Sequence, residues 1–246
     1  MDFRSTPITG HAVAIAGGGP TGLMLAGELA LAGVDVAIIE QRASQNLMGV
    51  RARSAFRSIE ILDQRGIAGR FLLQGRLHKC VHFRVPLDVS DLPTRHNYVL
   101  GLGQIHVERL LAAWAGEFGA RIYRKREVIG FAQDDAGVEI ELSGGNSLRA
   151  QYLVGCDGGR SVIRKAAGIA FPGCDPETSW LIAEAEMSEE PDWGFRHDAM
   201  GTHAISKLGD GRKVGVVVVE QELAAERGEP TLRDASEALI AVYRAV

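Results

Sequence analysis

The chain has 246 residues, 46% hydrophobic and 24% charged, an ordinary make-up for a soluble globular protein of one large domain or two small ones. A net charge of −4 gives no reason to expect nucleic acid or an anionic membrane as a partner, and no apolar run is long enough to span a bilayer. The opening MDFRSTPITG lacks a signal-peptide core, and Cys80, Cys156 and Cys174, without C-x-x-C spacing, read as reduced thiols, so a cytoplasmic protein is expected.

Residues 1–10 read as a loose lead-in, and His11 to Glu40 then reads as strand, glycine turn, helix, strand. Ala12 to Ala16 are almost wholly apolar, as a parallel strand buried on both faces requires. Gly17, Gly19 and Gly22 give G-x-G-x-x-G. The first permits a tight turn, the second lets the backbone approach a pyrophosphate, and the third lets the helix pack closely on the strand. The amide groups at that helix start lie at the positive end of the helix dipole and form an anion site. Glu40 ends the second strand at close to the spacing expected for a carboxylate that holds a ribose hydroxyl. This stretch predicts a bound dinucleotide.

A polar connection follows, carrying Arg42, Arg51 and Arg53, which either neutralise phosphate charge or solvate a loop. A helix is expected from Ser54 to Gln64, with Phe56, Ile59 and Leu62 on one face and Gly66 as the stop. Residues 76–90 alternate like a strand that would put His78, Cys80 and His82 on one face. At about 3.3 Å per residue the two histidines lie roughly 13 Å apart, so no metal site is expected. Asn97 to Gly103 reads as a strand, followed by Gln104 and a helix from about His106 to Phe118 with Val107, Leu110, Leu111, Trp114 and Phe118 in a core-facing stripe.

Arg121 to Asp134, Val138 to Ser143 and Ser147 to Val154 read as three strands of a meander that interrupts the strand–helix alternation. The last runs into a second glycine turn, with Asp157 at the strand end, Ser161 as cap of a short helix, and Arg160, Arg164 and Lys165 making the turn positive. Those cations either hold a phosphate or pair with Asp157. Strands follow at Thr178 to Met187, His203 to Leu208 and Lys213 to Glu220, and VGVVVVE suggests burial on both faces of the last. A final helix spans about Thr231 to Arg244. Arg196, His197 and His203 either line a substrate pocket or belong to solvated loops.

With both glycine turns in view, the chain resembles the N-terminal half of the class A FAD-dependent monooxygenases, the aromatic and polyketide hydroxylases. Gly17 through Glu40 is similar to that family's first FAD fingerprint, and Asp157-Gly158-Gly159-Arg160-Ser161 to its Asp-Gly fingerprint. Gln104, ahead of Val107-Glu108-Arg109-Leu110, is similar to a glutamine that contacts FAD there. The resemblance implies an α/β protein: a Rossmann-like FAD-binding domain over residues 1–174 with a β-meander insertion, and the start of a mixed-sheet substrate domain over 175–246, with residues 76–100 an excursion into the latter. It implies FAD contacts from Gly17, Gly19, Pro20, Thr21, Gly22, Glu40, Gln41, Arg42, Arg51 or Arg53, Gln104 and Asp157. NADPH or NADH would be the transient reductant, O2 the oxidant and a small aromatic molecule the substrate. No catalytic acid or base and no metal is implied, because the cofactor carries the chemistry. Similarity to rifampicin monooxygenases adds an antibiotic-inactivating alternative. The family's third fingerprint, a Gly-Asp pair at a strand end, has no match within the chain, since Gly209-Asp210 reads as a hairpin turn. A catalytically silent nucleotide-binding fragment is therefore a further alternative.

Overall fold

The computed structural model describes residues 8–44, 51–54, 56–82, 85–174, 177–186, 190–198, 201–208, 213–220 and 230–243. Most of the N-terminal lead-in, the Gly209-Asp210 turn and Arg244 lie outside the described residues. The chain opens with β1 (Ile8–Ala16), α1 (Pro20–Leu31), β2 (Val36–Glu40), β3 (Arg51–Ser54), α2 (Phe56–Gln64) and α3 (Ala68–Leu72). It continues with β4 (Arg76–His78), β5 (Cys80–His82), β6 (Pro86–Asp88), β7 (Val99–Gly103), α4 (Gln104–Glu117), β8 (Arg121–Arg124), β9 (Val128–Asp134) and β10 (Gly137–Leu142). β11 (Asn146–Gly155), α5 (Val162–Ala166), β12 (Ser179–Glu186), β13 (Gly194–Asp198), β14 (Gly201–Leu208), β15 (Lys213–Glu220) and α6 (Leu232–Tyr243) complete it. The elements fall into two compact units, one from residues 1–78 with 92–171 and the other from 79–91 with 172–246.

The first unit is built on a six-stranded sheet in the order β8-β2-β1-β11-β10-β9. The four strands from β8 to β11 run parallel, with Ala16 opposite both Ile39 and Gly155. β9, β10 and β11 are antiparallel neighbours, so the meander is joined to the parallel sheet through β11. Ala14, Ile15, Ala37 and Ile38 are fully buried, which only apolar side chains tolerate in a strand covered on both faces. On one face α1 and α4 pack together, and the ring of Trp114 lies against Gly27, where a Cβ would come within 2.2 Å of it. On the other face Ala14, Ala16 and Ile39 meet Ile140, Leu142 and Leu148 of the meander.

A polar staple crosses the parallel strands. The buried His11 ring, within β1, bonds Asp35 through Nδ1 at 3.0 Å and the Tyr123 hydroxyl of β8 through Nε2 at 3.0 Å. A second staple joins the loop before β7 to α2, where His96 reaches Asp63 through Nε2 at 3.1 Å and the Tyr98 hydroxyl through Nδ1 at 2.8 Å.

The second unit carries a four-stranded antiparallel sheet in the order β12-β15-β14-β13, together with the β5–β6 hairpin. Val214, Val216 and Val218 of β15 pack with Ile205 and with Ala238, Leu239, Val242 and Tyr243 of α6.

Several expectations from the sequence are corrected. The strand expected over 76–90 is three short ones: β4 pairs with β7, whereas β5 and β6 pair with each other and Pro86 opens β6. Proline has no N–H to donate, so it sits at strand starts and edges. The strand expected over 121–134 breaks into β8 and β9 at Lys125, whose φ of 55° lies in the left-handed region that ends an extended run. β3 and α3 were not foreseen, and the helix expected from Ser54 begins at Phe56. Residues 196 and 197 belong to a strand, β13, rather than a loop. β15 is buried on one face, since Val217 and Val219 remain half-buried while the intervening valines are covered.

Candidate functional site

A cleft of about 440 Å³ opens at the carboxyl ends of the parallel strands. This is where open α/β sheets bind ligands, because strand-end loops and helix N-termini converge there. Ala16 and Gly17 of the β1 end, Ile39 and Glu40 of β2, and Cys156 and Asp157 beyond β11 all line it. The strand ends are locked by backbone bonds: Gly17 N donates to the Ile39 carbonyl at 2.8 Å, and Cys156 N to the Ala16 carbonyl at 2.7 Å.

The glycine turn is constrained by contact. Gly17 has φ 103°, and a Cβ there would lie 2.3 Å from the Cys156 carbonyl. A Cβ on Gly22 would lie 2.0 Å from the Gly17 carbonyl, and one on Gly18 would lie 2.8 Å from Glu40 Oε2. Gly19 is different, with open space around its Cβ position. It is the N-cap of α1, no side chain caps that helix, and Pro20 occupies the first position. An uncapped helix start facing a cleft, with room beside it, fits a pyrophosphate.

Glu40 is only 4% exposed. Oε2 accepts the Gly18 N–H at 2.7 Å and Arg42 Nη2 at 3.1 Å, while Oε1 accepts the Arg42 backbone N–H at 2.8 Å and Arg42 Nε at 3.0 Å. Burial pushes the Glu40 carboxyl up, but the bonds and charge of Arg42 and the two backbone N–H groups outweigh it, leaving the group below the usual carboxylate range. The same pairing, first through its hydrogen bond to Glu40, raises Arg42. Arg42 Nη1 also lies 3.4 Å from Oε2 of Glu108, a fully buried carboxylate whose Oε1 accepts Gln104 Nε2 at 2.9 Å.

At the far wall Asp157 acts as a helix cap. It accepts the Ser161 hydroxyl at 2.6 Å and the N–H groups of Val162 and Ile163 at 2.7 and 3.2 Å. Arg164 does not pair with it: its Nη1 donates to the Ile169 carbonyl, and its guanidinium lies over the Phe171 ring. Arg160 lines the cleft. Burial, then the Asp157 charge, pushes the Cys156 thiol up.

Of the residues singled out from the sequence, Gly17, Gly19, Glu40, Gln41, Arg42, Gln104 and Asp157 line this one cleft. Pro20, Thr21 and Gly22 build the first turn of α1 behind it. Arg51 and Arg53 lie in β3, opposite Gly103 and Gly101, and their side chains fall outside the described residues. Gln104 is the first residue of α4 rather than a residue ahead of it. Sequence reasoning missed Glu108 and the rim at Arg126, Glu127 and Val128. The rim is brought in by the Arg126 N–H, which donates to the Glu40 carbonyl at 3.1 Å. Glu108 had a signal: it is a charge between Val107 and Leu111, inside an apolar stripe. Among the described residues no group of three or more His, Cys, Asp or Glu side chains is placed to hold a metal ion, and no helix is long and apolar enough to cross a membrane.

Residues 11–239 match the family described as FAD binding domain. The chain belongs to that family. Relatives of this FAD-binding-domain chain include a rifampicin monooxygenase from Streptomyces venezuelae, 42% identical over 89% of this chain and 48% of the relative. A 12-dehydrotetracycline 5-monooxygenase/anhydrotetracycline 6-monooxygenase from Streptomyces rimosus is 37% identical over 94% of this chain and 49% of the relative. Among solved structures, the Diels-Alderase PyrE3 of pyrroindomycin biosynthesis superposes with a TM-score of 0.86 at 30% identity, over 95% of this chain and 51% of that one. The chain spans about half the length of the relatives it matches. FAD is the cofactor of the family, and the uncapped start of α1, the open space at Gly19 and the buried strand-end carboxylate fit its ADP portion.

Proposed function

We propose that the cleft holds the ADP half of FAD in a monooxygenase that hydroxylates an aromatic, polyketide-type substrate at the expense of NADPH or NADH. The observation that carries the reading is the convergence of the uncapped α1 start, Glu40 and Asp157 at the carboxyl ends of β1, β2 and β11. Gly17, Gly19, Pro20, Thr21 and Gly22 form the turn and helix start that take the pyrophosphate. Glu40 orients the adenosine ribose, Gln41 and Arg42 form its rim, and Gln104 and Asp157 face the cofactor from the opposite walls. Arg51 or Arg53 adds a cation. When bound, FAD supplies hydride acceptance from the nicotinamide and activation of molecular oxygen. This chain's residues bind, orient and exclude water. The first compact unit is the FAD-binding domain and the second the beginning of a substrate domain. Nucleotide binding is assigned to these residues, turnover to the whole protein, and a cytoplasmic setting supplies the nicotinamide.

The 42% identity to a rifampicin monooxygenase supports oxygen insertion, with antibiotic modification and polyketide biosynthesis as two uses of the same step. The likeness to PyrE3 favours a second reading, in which FAD is retained while the protein directs a cycloaddition. Titrating the purified chain with FAD and recording the visible spectrum tests the site, with a stoichiometric, red-shifted flavin band as the expected result. NADPH consumption and a product heavier by one oxygen, measured on the whole protein with a panel of polyketides and rifamycins, separates hydroxylation from cycloaddition. Failure to bind either FAD or ADP would sink the assignment.

A further inference from the structure

The acceptor expected to hold the ribose is already saturated. An ionised carboxylate offers about four lone-pair positions. On Glu40 two are taken by the backbone N–H groups of Gly18 and Arg42, and two by Nε and Nη2 of Arg42. The backbone donors belong to the glycine turn and the strand end, and cannot leave without unmaking both. The guanidinium can leave, because its side chain is 26% exposed and has other partners: Nη2 also donates to the Gly18 carbonyl at 3.3 Å, and Nη1 faces Glu108 Oε2 at 3.4 Å.

We propose that Arg42 is a displaceable latch on the ribose acceptor: the ribose hydroxyls replace the guanidinium on Glu40, and the guanidinium withdraws onto Glu108. This rests on the reading of the cleft as the ADP site and adds a positioning residue to it. Glu108, fully buried, keeps the released cation from leaving the cleft, because removing its counter-charge would strand it in a low-dielectric setting. Glu108 also accepts Gln104 Nε2, so movement of Arg42 is relayed to the start of α4 on another wall of the same cleft. A ligand without ribose hydroxyls leaves the latch closed.

The test is NMR of the Arg Nε–H groups in the 15N-labelled 246-residue chain, with calorimetry in parallel. The Arg42 resonance is assigned by its disappearance in Arg42→Lys. It shifts on adding adenosine or ADP and stays fixed with 2′,3′-dideoxyadenosine. Adenosine carries no phosphate, so its affinity isolates the ribose exchange from the attraction of Arg42 for anions. Trading two charge-assisted bonds for two hydroxyl bonds predicts adenosine binding about tenfold tighter in Arg42→Met than in the native chain. The Arg42→Met/Glu108→Gln pair gives the same comparison without a stranded buried carboxylate. An adenosine complex formed with an unmoved Nε resonance, or adenosine binding weakened in both variants, overturns the latch alone. Absence of any ADP binding to the native chain overturns the latch and the ADP-site reading together.

Discussion

Replacing Gly27 with alanine sets two effects of opposite sign against each other. In a helix interior alanine is favoured over glycine by about 1 kcal/mol. At Gly27, however, the new Cβ would meet Trp114 Cζ3 at 2.2 Å and Cε3 at 2.4 Å, far inside ordinary contact. Trp114 is 2% exposed, so its ring has no solvent to swing into. Overpacking of this kind costs about 1–3 kcal/mol, which offsets or outweighs the propensity gain and leaves a net loss of up to about 2 kcal/mol. Gly116, exposed on α4 with open space around its Cβ position, is the control: the same change there stabilises by up to about 1 kcal/mol. Urea unfolding followed by far-UV circular dichroism reads both, with a lower midpoint for Gly27→Ala and a higher one for Gly116→Ala at constant slope. The α1 start faces the cleft, so Gly27→Ala also weakens ADP binding. A midpoint raised equally by the two substitutions would refute the close seating of α1 on α4.

Glu40→Gln separates binding from acid stability. The lowered Glu40 group contributes stability that is complete above the ordinary carboxylate range and lost as pH falls through its lowered value. The stability gap between native chain and Glu40→Gln therefore narrows on acidification, and a gap constant from neutral pH into the acid range would contradict the pairing with Arg42. Calorimetry of the same variant should show ADP bound roughly ten- to a hundredfold more weakly, the worth of a hydrogen bond to a charged group. His11→Leu removes the bonds to the Tyr123 hydroxyl and to the exposed Asp35 carboxylate and should cost about 0.5–1.5 kcal/mol in urea, with ADP affinity unchanged once the chain is folded. Iodoacetamide at neutral pH should alkylate the exposed Cys174 before Cys156, whose thiol is raised by burial and then by Asp157; peptide mass spectrometry giving the reverse order would contradict the burial of that sulfur.

The parts of the fold legible in the sequence were those with local causes. The β1–α1–β2 unit announces itself because buried parallel strands demand apolar runs and the turn demands glycine at Gly17. The meander was readable through its glycine turns. β3 was not, because RARS has no strand pattern of its own and becomes a strand only by pairing with β7. The break at Lys125 has no proline or glycine to mark it and is set by backbone bonds to the neighbouring strand end, Lys125 N to the Arg42 carbonyl and Arg126 N to the Glu40 carbonyl. The valine run of β15 suggested two covered faces, whereas α6 packs on one. In the cleft, spacing singled out Glu40, a place at a strand end singled out Asp157, and the family resemblance singled out Gln104, but the link through Arg42 to Glu108 depends on the tertiary seating of α4 against α1, which no local pattern encodes.

The pairing of β1 with β11 has a consequence for how the chain reaches its fold. Ala16 and Gly155 stand opposite each other although most of the chain lies between them. Contacts of such sequence separation form late, since loop-closure entropy is lost before the pairing returns any energy. On the ribosome, β1, α1 and β2 emerge early and wait with both sheet edges open, that of β2 until β8 arrives and that of β1 until β11 does. Cys156 and Asp157, which line the cleft beside the glycine turn, arrive with it. Nucleotide present during synthesis would therefore find no complete cleft until that strand has docked, so cofactor capture reports completion of the sheet.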